Sequence, residues 1–372
     1  MDNWEKEQEK LRLLWETVDV VDGPDDEEEE LASEEDVLET RSIDSDSEQD
    51  ADENCEEENG PPAKIFRTPC FVGKDGTTWP LFGLLYLAGT LKSSRLNTKE
   101  IWDKKGTGVE RFWVTISEQR FRFLLNCLRF EDLSTRNERK ELDKLAPIGE
   151  TFDCFVQNCK NAYCIGANAT IDEKLEAFRG RCGFKQYIPS KPNKYGIKIF
   201  ALVDASTTYC TNLEVYVGQQ PEGPYKVKND AFSIVSRLVE PISGLNRNLT
   251  CDNWFTSIAL INSLLQEHKI TFVGTLKKNK RELPPEFVNT RNRPECTSVF
   301  GFQENITIVS YVPKKNKNVI LASSLHHDDS IDKSTAAKFK PEIITYYNQT
   351  KGGVDNFDKL SATFDVARNT RR

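Results

Sequence analysis

Four aspartates stand out by type and position. They are Asp172 in "ATIDEKLEAFRGR", Asp252 in "LTCDNWFTS", and Asp355 with Asp358 in "TKGGVDNFDKL". Asp172 and Asp252 lie 80 residues apart, and Asp355 follows 103 residues later. Only a fold brings such residues together. Converging carboxylates are hard oxygen donors and suit Mg²⁺, with Mn²⁺ as the alternative ion. Two such ions about 4 Å apart activate an attacking oxygen and stabilise a leaving one in phosphoryl transfer. Without a cation, a dense carboxylate cluster repels itself and raises its own pKa values. Each residue also has a plain structural reading. Asp252 reads equally as the N-cap of a following helix. Asp172 and Glu173 read as solvated acids. A helix that starts after Gly353 puts Asp355 and Asp358 on one face, and that face reads equally as a wet one.

The elements that must position these residues follow from periodicity. "WPLFGLLYLAGTL" reads as a buried helix. "ISEQRFRFLLNCLRFED", with Phe121, Leu124, Leu125 and Leu128 at helical spacing, and "ETFDCFVQNCKNAYC" read as amphipathic ones. Near residue 169 the period changes. "KYGIKIFALVDAST" reads as a buried strand and "LEVYVGQ" as its antiparallel neighbour. "RNLTCDNWFTSIALINSLLQEH" reads as strand, turn and helix, and "KITFVGTLK" as a further strand. Residues 294–325 read as a strand meander with a polar "PKKNKN" turn, before helix returns. The expected class is α/β, a mixed strand and helix core after a helical N-terminal region.

Charge divides the chain. Residues 1–60 hold 26 Asp/Glu against 4 Lys/Arg, which leaves 33 Asp/Glu against 46 Lys/Arg for the other 312 residues. An acidic tail on a basic body suggests a nucleic-acid partner, and equally describes an ordinary Lys-rich surface. The tail cannot bury enough apolar surface to fold and is expected to be disordered over 1–65. Within it, Trp4, Leu11, Leu14, Trp15 and Val18 fall near helical spacing, which suits a short helix docking on a protein partner or a transient helix without one. Ser42, Ser45 and Ser47 lie among acids as candidate phosphate acceptors. No apolar run reaches the roughly 18 residues of a membrane span, and the charged first ten residues do not resemble a signal peptide. The expectation is a soluble intracellular protein whose ten cysteines are thiols. The spacing of Cys and of the three His gives no zinc pattern.

Longer motifs carry a resemblance. "ATIDEKLEAFRGRCGFKQYIPSKPNKYGIKIFALVDAST", "LTCDNWFTS", "FVGTLKKNKRELP" and "YYNQTKGGVDNFDKL" resemble the piggyBac family of DNA transposases, in matching order over roughly residues 70–372. The resemblance implies a ribonuclease H-like catalytic domain over 169–372 with a β-rich insertion at 280–340. It implies a helical dimerisation and DNA-binding region over 66–168. It makes Asp172, Asp252 and Asp355 the catalytic, metal-binding aspartates, with Asp358 a further family aspartate one turn on. The implied activity is metal-dependent cleavage and strand transfer at terminal inverted repeats, with hairpin ends and TTAA targets. Double-stranded DNA, a homodimer and a nuclear location follow as expectations. Lys277–Arg281 is the nearest thing to a basic targeting cluster.

Arg179, Arg181, Lys185, Lys191, Lys194 and Lys198 come just after Asp172, interleaved with Phe184, Tyr187 and Tyr195. That composition fits a DNA-facing surface, and equally a solvated loop. Trp254 reads as a core anchor. The match breaks at "DVARNTRR". The family continues with a Trp, further helices and usually a Cys-rich zinc-binding domain, so the chain reads as a C-terminally truncated member. Few residues are then expected to cover Val354 and Phe357. Two functions stay open: a transposase, or a domesticated or decayed derivative that binds DNA or protein without transposing.

Overall fold

The computed structural model describes residues 80–189, 191 and 193–367. The acidic tail, its candidate helix, the three serines and the expected fold boundary at Phe66 lie outside the described residues. No described helix is long and apolar enough to cross a membrane.

Six helices come first: α1 (Pro80–Thr90), α2 (Thr98–Ile101), α3 (Glu110–Thr115), α4 (Glu118–Cys127), α5 (Arg136–Leu142) and α6 (Gly149–Ala162). The first four enclose a small core of Leu84, Ala88, Ile101, Trp102, Phe112 and Phe121. Trp102 is its centre, with ring centroids 4.9 Å from Phe112 and 4.7 Å from Phe121. Its indole N–H donates to the Ile116 carbonyl at 2.8 Å, which satisfies the polar edge of a buried aromatic.

The sheet follows: β1 (Asn168–Ala177), β2 (Gln186–Tyr187), β3 (Tyr195–Asp204) and β4 (Cys210–Val215) come before α7 (Ala231–Leu238). Then come β5 (Asn248–Cys251), α8 (Ile258–His268), β6 (Thr271–Thr275), α9 (Pro285–Val288) and the meander β7 (Ser298–Phe302), β8 (Thr307–Lys314), β9 (Lys317–Ser323). Two helices close the described chain, α10 (Glu342–Thr350) and α11 (Gly353–Thr363). The nine described strands form one mixed sheet, ordered β2-β3-β1-β5-β6-β9-β8-β7, with β4 also paired to β3. β1, β5 and β6 are parallel at its centre, and the remaining pairs are antiparallel. The meander expected from residues 294–325 therefore extends the same sheet through β9 and β6.

Helices cover both faces, and β3 reads accordingly as an apolar run, whereas β1 and β5 alternate apolar residues with Asn, Thr and Asp. On one face α7 and α8 bring Ile234, Leu238, Leu260 and Leu264 onto Ile171, Leu202, Leu249 and Phe272. Side-chain caps start both helices: Asp230 accepts from the Ser233 N–H at 3.0 Å, and Ser257 from the Leu260 N–H at 3.2 Å. On the other face α10 sets Ile343 and Ile344 against Val273, Val309 and Leu321. α11 sets Val354 and Phe357 against Ala201, Val203 and Leu213 of β3 and β4. Val354 and Phe357 thus have their cover within the described chain, while Leu360 of the same helix stays exposed.

Candidate active site

The register of two parallel strands builds the site. Ile171 on β1 lies opposite Cys251 on β5. The next residue on each strand is an aspartate, so Asp172 and Asp252 follow side by side at the carboxyl end of β5. This end is where open α/β sheets bind ligands. Asp172 stays in β1, opposite Ala201 of β3, and its Oδ1 accepts the Glu173 N–H at 2.8 Å. Asp252 turns the chain. Its Oδ1 accepts the Trp254 N–H at 2.9 Å and the Phe255 N–H at 3.4 Å, and its carbonyl accepts the Thr256 hydroxyl at 2.6 Å. Ser257 caps α8, so Asp252 is a turn former and not the helix N-cap.

Asp355 enters from the first turn of α11. All three aspartates line one cavity of about 210 Å³, together with Thr170, Thr250, Tyr347 and Lys351. Asp172 and Asp252 are half-buried and Asp355 is exposed. Burial pushes the Asp172 carboxyl up to about 8, and the charges of Glu173 and Asp252 add to the shift. Burial and the charge of Glu173 raise Asp252 too, against its hydrogen bonds to Trp254 and Phe255 and the attraction of Lys277. Burial pushes Tyr347 up to about 12. The pair is therefore a place where negative charge is held at a cost, and a bound cation would relieve it. Among the described residues, no group of three or more His, Cys, Asp or Glu is gathered closely enough to hold a metal ion. The donor set fits a hard cation by its chemistry, two crowded carboxylates with a third lining the same cavity, while Asp355 stands apart from the pair.

Asp358 sits elsewhere on α11. Its carboxylate is 3.5 Å from Nζ of Lys174, and it is not among the residues lining the cavity. Lys174 is a buried cation that composition did not single out. The six basic candidates separate as well. Arg179, Arg181 and Lys194 are exposed. Lys191 donates to the Glu173 carbonyl at 3.3 Å, and Lys185 to the Gly180 carbonyl at 3.3 Å. Lys198 Nζ lies 5.0 Å, 5.2 Å and 5.9 Å from the ring centroids of Phe200, Trp254 and Tyr216. Trp254 stacks on Phe200 at 5.6 Å yet keeps over a third of its surface exposed, so it is a partial anchor. Sequence reasoning also passed over a repeated pattern, N-x-T-x-D, in "NATID" and "NLTCD".

This is a mixed α/β fold with carboxylates at the carboxyl end of its central parallel strands. Residues 80–372 match the family model described as Transposase IS4, and the chain belongs to that family of transposases. Within it, the relatives point to the piggyBac branch. The solved structure of a piggyBac transposase synaptic complex with hairpin DNA is 40% identical, with a TM-score of 0.72, covering 81% of this chain and 63% of its own. The human PiggyBac transposable element-derived protein 3 is 24% identical over 303 residues, 76% of this chain and 49% of the relative. The human Chimeric ERCC6-PGBD3 protein matches at 24% over 76% of this chain and 28% of its own length. The chain is thus a piggyBac-family, transposase-like protein that spans about half or less of the curated relatives it matches.

Proposed function

We propose that the chain carries the catalytic centre of a DNA-cleaving and strand-transferring enzyme, acting on double-stranded DNA at terminal repeats with TTAA targets. The observation that carries this reading is the adjacency of Asp172 and Asp252, with Asp355 lining the same cavity. The alternation in β4-β3-β1-β5-β6, antiparallel strands and then parallel ones, supports a ribonuclease H-like core. In this reading α1–α6 belong to a DNA-binding and dimerisation region, residues 280–340 carry the β-rich insertion, and the protein works in the nucleus.

Asp172, Asp252 and Asp355 would hold divalent metal, Mg²⁺ or Mn²⁺. When bound, such ions supply Lewis-acid activation of water or a 3′-hydroxyl and stabilise the leaving oxygen. The chain's own residues do the remainder. Trp254 and Phe255 N–H groups fix the Asp252 rotamer, the Glu173 N–H fixes Asp172, and α11 presents Asp355 to the same cavity. Arg179, Arg181 and Lys194 leave cationic side chains free for the phosphate backbone beyond the carboxylates. Asp358 steadies Lys174 beneath them.

The names of the curated relatives, element-derived protein and chimeric protein, favour a second reading: a derivative that binds DNA or protein without transposing. One assay separates the two. The full chain is incubated with DNA carrying candidate terminal repeats and Mg²⁺ or Mn²⁺, with Asp252→Asn alongside. Cleavage by the wild type alone supports the catalytic reading. DNA binding of equal strength in both proteins, with no cleavage by either, supports the second.

A further inference from the structure

The two strand aspartates end matching ladders. Asn168 pairs with Asn248 and Thr170 with Thr250 across parallel β1 and β5, and Asp172 and Asp252 come two residues further on. Alternate residues share one face of a sheet, so Asn, Thr and Asp form three successive layers on the face toward α10 and α11. Two residues of α10, one turn apart, reach down onto these layers. The Tyr346 hydroxyl donates to Asn168 Oδ1 at 2.5 Å. The Thr350 carbonyl accepts the Thr170 hydroxyl at 2.6 Å, and the Thr350 hydroxyl meets the Thr250 hydroxyl at 2.7 Å.

The donors can be ordered. Thr350 Oγ1 donates to the Tyr346 carbonyl at 2.9 Å, so Thr250 donates to Thr350. Thr170, Thr250 and Thr350 are all at most 5% exposed, so water does not replace these bonds. A buried hydroxyl network that is fully paired holds its members in one arrangement. Here it joins positions far apart in sequence, directly under the two strand aspartates. Thr350 is also the last residue of α10, five before Asp355. The hydroxyl contacts therefore set where α11 begins relative to the strands.

We propose that Thr350, clasped by Thr170 and Thr250, is a positioning residue that fixes the distance of Asp355 from the Asp172–Asp252 pair. It touches neither metal nor DNA. It acts through the carboxylates, and so the inference rests on the metal-binding reading of the site. The two N-x-T-x-D segments and Tyr346–Thr350 together make one device: the strands supply two carboxylates in register, and the helix is pinned to that same register before it delivers the third.

The test uses the full chain and Mn²⁺ itself, titrated by electron paramagnetic resonance of the free ion. Four proteins are compared: wild type, Asp252→Asn, Thr350→Val and Thr350→Ser. Valine keeps the shape and removes the hydroxyl, whereas serine keeps the hydroxyl. Thr350→Val is expected to weaken Mn²⁺ binding by about tenfold or more, as lost supporting contacts around a metal do. Thr350→Ser is expected to stay within about twofold of wild type. If Thr350→Val does not fold, Thr250→Val removes the other hydroxyl of the same contact and carries the same expectation. Wild-type affinity in the valine variant, or equal losses in serine and valine, overturns the clasp. If Asp252→Asn binds Mn²⁺ as well as wild type, the metal reading itself fails and takes the clasp with it. A loss in Asp252→Asn with none in Thr350→Val sinks the clasp alone.

Discussion

Lys174 Nζ lies 3.5 Å from the carboxylate of Asp358 and 2.9 Å from that of Glu176, with the Phe357 ring centroid at 5.0 Å. Lys174 is two residues beyond Asp172 on the same strand face, and its side chain is only 5% exposed. Two aspartates one turn apart on α11 thus serve different partners: Asp355 faces the cavity, and Asp358 faces a buried ammonium. A buried cation stripped of a partner is costly, but Asp358 is itself 42% exposed and Glu176 remains. Asp358→Asn should therefore cost about 1 kcal/mol of stability, and adding Lys174→Met should recover most of it. Urea unfolding of both variants measures this. Unchanged stability, with a loss of Mn²⁺ affinity as large as that of Asp252→Asn, would make Asp358 a ligand instead.

The raised Asp172 carboxyl gives a pH dependence with a definite sign. Its ordinary value is 3.8, and in the folded chain burial pushes it to about 8. Between those values the folded state binds a proton that the unfolded state has lost. Stability in EDTA should then fall as pH rises from about 4 to about 8, by at most about 1.4 kcal/mol per unit from this group. Asp172→Asn should flatten that slope. Added Mn²⁺, which binds the ionised form, should stabilise the wild type more at pH 8 than at pH 5. Midpoints of urea unfolding at the two pH values decide it. Parallel slopes for wild type and Asp172→Asn would remove Asp172 as the source.

Much of this frame is legible from local pattern. "KYGIKIFALVDAST" is a strand because its apolar run is buried on both faces, and its neighbour, expected at "LEVYVGQ", lies earlier at Cys210–Val215, so that only Leu213, Glu214 and Val215 of that stretch pair with it. The start of a helix at Gly353 is equally local. What local pattern cannot carry is register between distant strands. That Ile171 meets Cys251 depends on packing across 80 residues, and it is this register that sets Asp172 beside Asp252. The repeated N-x-T-x-D was a usable signal, since equal spacing before each aspartate implies equal layers on one sheet face. Asp358 and Lys198 were harder. Their partners are a buried lysine two strand positions from Asp172 and three aromatic rings from separate segments, and only burial distinguishes a held charge from a free one.

Lys198 illustrates the consequence. Its ammonium sits among Phe200, Trp254 and Tyr216, whose ring faces attract it at the cost of exposure to a ligand. Arg181 and Lys194 are exposed. If DNA lies over this surface, Arg181→Gln and Lys194→Gln should each lower the steepness of log affinity against log salt by about 0.9 per lost phosphate contact. Lys198→Gln should leave the slope unchanged and lower the melting temperature. Fluorescence anisotropy with a labelled duplex at several salt concentrations, beside thermal melts, tests both. A slope change confined to Lys198→Gln would reverse the assignment.

Gly353 gives the sharpest steric test of how α11 seats on the sheet. A Cβ at this position would lie 2.9 Å from Thr170 Oγ1 and 3.2 Å from Thr170 Cβ. In an open helix, Gly→Ala gains about 1 kcal/mol from propensity. Here the obstacle is a buried β-branched residue whose hydroxyl is held by the Thr350 carbonyl, so it cannot swing aside without breaking that bond. Overpacking of this kind costs about 1–3 kcal/mol and exceeds the propensity gain. Gly353→Ala should accordingly destabilise the chain. Because relief requires α11 to lift from β1, carrying Asp355 with it, the variant should also bind Mn²⁺ more weakly than its loss of stability alone would cause. Urea unfolding and Mn²⁺ titration on the same preparation separate the two effects, and a Gly353→Ala protein as stable as wild type would mean that the helix seats on the strand less tightly than Thr170 requires.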